Sequence, residues 1–208
     1  MTAGNPGPVD LDRYERALEG ADPIEAMRKA PKRLAKLIKD LSKKQLARRP
    51  APDKWSIKEV LAHLADGEVM LGSRFRMVAA MDRPQLVGYD QDAFVERLAL
   101  EDAKAKDLLE DFAAVRAANV RLLKRLPREA FERVGLHTER GEETLSDMLV
   151  MYAGHDRVHE EQIARLREWL RDSKKRKTAK GKAAEGKAAE QRERTTRPDA
   201  EERSLLEV

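Results

Sequence analysis

Apolar side chains recur along this chain at steps of three and four residues, and four stretches carry such a stripe. In "APKRLAKLIKDL", Leu34, Leu37, Ile38 and Leu41 share one face, and Pro31 sits at a first helical position, where its missing N–H costs nothing. The second stretch opens at Ser56 with Glu59 three residues on, a Ser-x-x-Glu capping box, and runs to about Met81 with Val60, Leu64 and Leu71 in register. The third follows a loop over Asp82–Gln91 and reaches about Leu126, carrying Leu108, Leu109, Phe112, Val115, Leu122 and Leu123; Pro127 helps to end it. The fourth begins behind a Thr144/Asp147 cap and runs to about Arg171, with Met148, Met151, Tyr152, His155, His159, Ile163 and Leu166 on one stripe. Leu11–Glu19 predicts a short lead-in helix, Arg48–Trp55 ("RRPAPDKW") a proline-punctuated connection, and Val134–Glu143 a second loop. No stretch shows convincing period-2 alternation. The pattern predicts an all-α bundle of about four principal helices.

Composition sharpens the domain limits. Of 42 Lys+Arg and 38 Asp+Glu, 11 and 7 lie beyond residue 172, so residues 1–172 carry 31 of each and the net charge of +4 resides wholly in the C-terminal end. That end holds a direct repeat, GKAAE-GKAAE, no aromatic residue, and no large apolar one before Leu205. Such a segment cannot bury enough surface to fold alone and reads as a disordered basic tail. The expected organisation is a lead-in over residues 1–27, a bundle domain over 28–172 and the tail over 173–208. There is no cysteine, which excludes disulfides, thiolate metal sites and cysteine nucleophiles. No apolar run approaches the roughly 18 residues of a membrane span, and the N-terminus lacks a signal-peptide core, so a cytoplasmic protein without membrane contact is expected.

Two of the four histidines, His155 and His159, stand four residues apart on the apolar face of the fourth helix. Side chains at i and i+4 lie about 5–6 Å apart at Cβ, so two imidazoles there can converge on one cation. The pair lacks the His-Glu-x-x-His arrangement of zinc proteases, since Asp156 follows His155. His63 lies mid-way along the second helix, close to its apolar stripe. Three inward histidines from two helices form a ligand set that leaves a divalent metal at least one open position, as catalytic zinc sites do. His137, in a loop among charged neighbours, is left out of the set.

The segments "DKWSIKEVLAHLADGE" (Asp53–Glu68), "VGYDQDAF" (Val87–Phe94) and "ETLSDMLVMYAGHDRVHEEQI" (Glu143–Ile163) resemble the DinB/YfiT-like superfamily over roughly Lys29 to Leu170. The Trp-Ser lead-in before His63-Leu64 and the later His-Asp-x-x-His-x-x-Gln block carry the likeness. Phe94 departs from it, standing where many relatives have tryptophan. The resemblance implies an up-down-down-up four-helix bundle and a metal, commonly zinc or nickel, on His63, His155 and His159. It also implies a metal-dependent enzyme acting on a small-molecule substrate. Relatives include transferases and isomerases that use a low-molecular-weight thiol, and hydrolases without a known substrate. An open metal position can hold a thiol as thiolate or lower the pKa of water, so either reaction follows from the same site.

Asp66 and Gln162, each three residues after a histidine of the set, are candidates to orient a ligand or meet substrate, as is Asp90 in the loop after the second helix. Asp156 and Glu160 point about 100° away from their histidines, toward solvent or inter-helix pairing. Trp55 beside Ser56 reads as a staple for the connection. A homodimer is common among relatives. The alternative to an enzyme is a non-catalytic metal-binding bundle whose basic tail contacts nucleic acid or a protein partner, and a metal-free scaffold with hydrogen-bonded core histidines is the third reading.

Overall fold

The computed structural model of the protein describes residues 10–98 and 100–196, with side chains beyond Ser173 described only for Lys175 and for Lys187, Ala188 and Ala189. It divides into two units, residues 1–167 and 168–208. In chain order the elements are α1 (Leu11–Leu18), α2 (Pro23–Ile38), α3 (Lys43–Leu46), α4 (Ile57–Ala80), β1 (Gln85–Leu86), α5 (Gln91–Arg97), α6 (Ala105–Arg125), β2 (Val134–His137), β3 (Gly141–Thr144) and α7 (Leu145–Thr196).

The long helices start where their caps dictate. Ser56 Oγ accepts from Glu59 N–H at 3.3 Å, and Glu59 Oε2 accepts from Ser56 N–H at 2.7 Å, closing the expected box on α4. Thr144 and Asp147 make the same reciprocal pair on α7, both bonds at 3.0 Å. The start of α2 differs from expectation. Asp22 caps it through Glu25 N–H at 2.8 Å and Pro23 takes the first position, so residues 23–27 belong to the bundle and Pro31 lies inside the helix. Having no N–H, Pro31 cannot bond the Met27 carbonyl one turn back. Arg116 of α6 donates to that carbonyl instead, at 3.2 Å.

Side-chain bridges fix the helix directions. Lys58 at the head of α4 donates to Leu100 O at 2.8 Å just before α6 begins, and mid-helix Glu68 accepts from Asn119 Nδ2 at 2.8 Å, so α4 and α6 run parallel. Arg33 meets Glu160 at 2.7 Å and Arg167 reaches Leu37 O at 2.5 Å, so α2 and α7 also run parallel. Lys124 pairs with Glu25 near the far end of α6 while Arg116 meets Met27, which sets α6 antiparallel to α2. The result is an up-down-down-up four-helix bundle. Its core joins Met27, Leu71, Phe75, Val120, Leu123, Leu145 and Met148, each nearly or fully excluded from solvent.

The structure departs from the predicted loops in two connections, the crossover between the parallel α4 and α6, which carries β1, and the α6–α7 connection, which carries β2 and β3. β1 pairs parallel to β2, and β2 pairs antiparallel to β3 across a turn at 138–140, with Gly141 at φ +86°. The strands escape the sequence pattern because they are only two to four residues long. Beyond Asp172, residues 173–196 are helical in continuation of α7. The Ala, Lys, Glu, Gln and Arg of this segment are strong helix formers, so local propensity favours the helix. Residues 197–208, and residues 1–9 of the lead-in, lie outside the described residues.

Candidate metal centre

His63 projects from the middle of α4, whose apolar run of Val60, Leu61, Leu64 and Leu71 buries that face against the bundle. His155 and His159 project from consecutive turns of the antiparallel α7. The antiparallel register brings the three rings together: His63 Nε2 lies 3.2 Å from His155 Nε2, and His159 Nε2 lies 3.0 Å from it. All three nitrogens lie within 4.8 Å of one another. His159 Nδ1–H donates to Gln162 Oε1 at 2.7 Å, which leaves Nε2 as the lone-pair nitrogen facing the other rings. Burial pushes His63 down to about 3, with His159 adding to the effect. Burial likewise pulls His155 well below the ordinary imidazole value and lowers His159 against the opposing Gln162 bond. All three are therefore neutral near pH 7, the form that ligates metals. Three neutral rings aiming the same nitrogen at one point repel unless a proton or a cation sits among them. The donor set, three imidazole nitrogens with an open side, fits a divalent cation.

The supports around the rings are specific. Trp55 stacks obliquely on His63 with centroids 5.0 Å apart, so the residue expected as a staple also walls the centre. Tyr14 of α1 lies 6.5 Å from His155, a position allowed by Gly154, where a Cβ would stand 2.5 Å from Tyr14 O. Behind His155, Asp156 accepts from Arg116 Nη2 at 3.1 Å and a second Arg116 nitrogen closes the fork; Arg116 also reaches Glu68 at 2.6 Å. All three are buried, with Arg116 only 2% exposed. Burial works against the Arg116 charge, but Asp156 and Glu68 outweigh it and raise its pKa; burial, with Asp156 adding, pushes Glu68 up against the pull of Arg116 and Asn119. Asp156 and Glu160 thus both serve inter-helix pairing, the latter with Arg33.

Residues 26–163 match the family model of the DinB superfamily. The chain belongs to the DinB superfamily. Similar DinB-type proteins include one from Bacillus cereus (strain 03BB102) and one from Bacillus mycoides (strain KBAB4), both named "Putative metal-dependent hydrolase" and each 30% identical over 152 residues, 71% of this chain and 84% of the relative. The fold is similar to that of YfiT from Bacillus subtilis, titled "a probable metal-dependent hydrolase with an unusual four-helix bundle topology", with TM-score 0.68, 23% identity, and coverage of 71% of this chain and 85% of that one.

A cleft of about 820 Å³ opens on His63 and His155 in this DinB-superfamily bundle, a size suited to a small molecule. Of the other predicted residues, Gln162 touches His159. Asp90 lines the cleft, but its carboxylate is engaged as the cap of α5, accepting from Ala93 N–H at 3.0 Å. Asp66 is half-buried and is not among the cleft-lining residues; burial, then Asp111, pushes its carboxyl up. His137 stands apart from the three rings, as expected, yet it is buried on β2 rather than exposed in a loop, and it lines the same cleft. Sequence reasoning missed Arg74 and Tyr89 in that lining. Arg74 carried a signal, standing eleven residues after His63, just over three turns along the same helix face.

Proposed function

We propose that the protein is a metal-dependent enzyme that holds a divalent cation on His63, His155 and His159 and hydrolyses a small-molecule substrate bound in the adjoining cleft. The observation that carries this is the meeting of three Nε2 atoms from two antiparallel helices, two of them on histidines that line an open cleft. A divalent cation bound there supplies Lewis acidity, lowering the pKa of water or of a low-molecular-weight thiol to the neutral range. The names of the curated relatives favour water, and the thiol reading is the same centre with a different nucleophile source.

The chain's own residues prepare the site. Gln162 fixes the His159 tautomer, and the Arg116–Asp156 fork holds the α7 turn that carries His155. Trp55 packs beside the His63 ring, and Tyr14 lies near His155 in the lining of the cleft that admits substrate.

The test is metal content by mass spectrometry beside activity. The wild-type chain is expected to hold one equivalent of zinc or nickel, and His63→Ala well under a tenth of that. A His63→Ala variant that keeps a full equivalent removes the ligand assignment. The metal-loaded protein is then run on a panel of ester and amide substrates, with and without low-molecular-weight thiols and one reactive electrophile. Turnover that requires the thiol assigns transfer rather than hydrolysis.

A further inference from the structure

Away from the histidines, the cleft contains an arginine with no counter-charge. Arg74 is 4% exposed, and its hydrogen bonds go to neutral acceptors: Nη1 donates to Tyr152 Oη at 2.7 Å and Nη2 to Val87 O at 2.6 Å. Its guanidinium also lies 5.8 Å from the Tyr89 ring centre. Among the described residues no carboxylate lies within 4 Å of it, whereas the equally buried Arg116 has two. A buried cation without a partner is strongly disfavoured, so an arginine kept in that state faces a site that supplies the missing charge from outside.

A second group on the same wall points the same way. His137 is 3% exposed, and its Nδ1 accepts from Glu139 N–H at 3.2 Å, which places the ring proton on Nε2. That Nε2 has no hydrogen-bond partner. It is an unused donor in the lining of the cleft that Arg74 also lines. One buried guanidinium and one orphaned imidazole N–H are the complement of an oxyanion.

We propose that Arg74 and His137 form a subsite for an anionic group of the substrate, a carboxylate or a phosphate, whose reacting end lies at the three-histidine centre. The placement at the reacting end rests on the metal-centre reading; the anion site itself does not. Arg74 and His63 project from the same face of α4, about 16 Å apart along its axis. Tyr152 spans the interval, holding Arg74 with its hydroxyl while its ring lies 6.2 Å from the His155 ring. Arg74 is therefore a specificity residue: it selects substrates carrying negative charge a fixed distance from the bond that reacts.

Isothermal titration of the full-length, metal-loaded protein with glutarate, inorganic phosphate and the uncharged glutaramide tests this. At least one of the two anions is expected to bind tenfold or more tightly than glutaramide, and the tighter one names the chemistry. Arg74→Met, which keeps length and removes charge, is expected to lose that preference while retaining its metal. His137→Phe, a second variant that keeps a ring and deletes the donor, is expected to weaken the anion at least threefold. Equal binding of glutaramide by the wild type overturns the proposal. So does undiminished anion binding by a folded Arg74→Met, or by His137→Phe if Arg74→Met does not fold. Titration of His63→Ala separates the two readings: anion binding that vanishes there but persists in Arg74→Met belongs to the cation and overturns the Arg74 site. Anion preference that survives in wild-type protein stripped of metal supports the Arg74 site independently of the metal centre.

Discussion

Gln162 contributes a single hydrogen bond, yet that bond decides which nitrogen of His159 is available. Removing the acceptor frees the ring to reverse its tautomer or rotate, and loss of such an outer partner typically costs a metal site about 10–100-fold in affinity. Gln162→Leu is expected to weaken metal binding by about tenfold in chelator competition with unchanged helicity, while Gln162→Glu, a stronger acceptor, holds or tightens it. Arg116 has a different kind of importance. It bridges two buried carboxylates, Asp156 and Glu68, and it also satisfies the Met27 carbonyl that Pro31 leaves without a donor. Arg116→Met strands two acids in the interior, so a loss of about 3–5 kcal/mol in denaturant unfolding is expected. Combining Arg116→Met with Glu68→Gln and Asp156→Asn removes the stranded charges and is expected to recover much of that loss.

At the scale of elements, the caps and one glycine set the architecture. Ser56→Ala breaks one half of the α4 box and is expected to lower stability by about 0.5–2 kcal/mol in chemical denaturation. Gly154→Ala puts a methyl group into the backbone of α1 at Tyr14, and rigid main chain cannot yield as a flexible side chain would. Faster amide exchange confined mainly to Leu11–Leu18 is the expected readout, since α1 is the element displaced. Two of the long helices, α4 and α7, were legible because cap and apolar stripe agree: Ser56/Glu59 and Thr144/Asp147 do what their spacing implies, and the three histidines meet as their inward positions require. The single helix expected from beyond Gln91 to about Leu126 is instead divided into α5 (Gln91–Arg97) and an α6 that starts at Ala105 without a side-chain cap. Pro31 misled because its side of the missing bond was visible in sequence while the compensating Arg116 was 85 residues away. The β-strands were illegible for want of length, and Arg74 because an arginine on an apolar helix reads as an exposed charge until its neighbours in space are known.

For the whole molecule, charge and core are separated along the chain. Residues 1–172 carry equal numbers of acidic and basic groups, and the excess of +4 lies beyond them. Every residue of the three-histidine centre, its Arg116 support and the Arg74 wall falls before Arg167, within the first unit. The segment from 173 to 196 is rich in Lys, Glu and Ala and has no large apolar residue in its sequence. A chain ending at Asp172 is therefore expected to keep its metal equivalent and a melting temperature within a few degrees of the full-length protein. We propose that any affinity for nucleic acid works through the basic end: it should fall steeply with salt in the full-length protein and vanish in the shortened one. If the shortened chain loses its metal, the centre depends on the C-terminal segment. If it binds nucleic acid as the full-length protein does, the contact lies on the charge-balanced bundle.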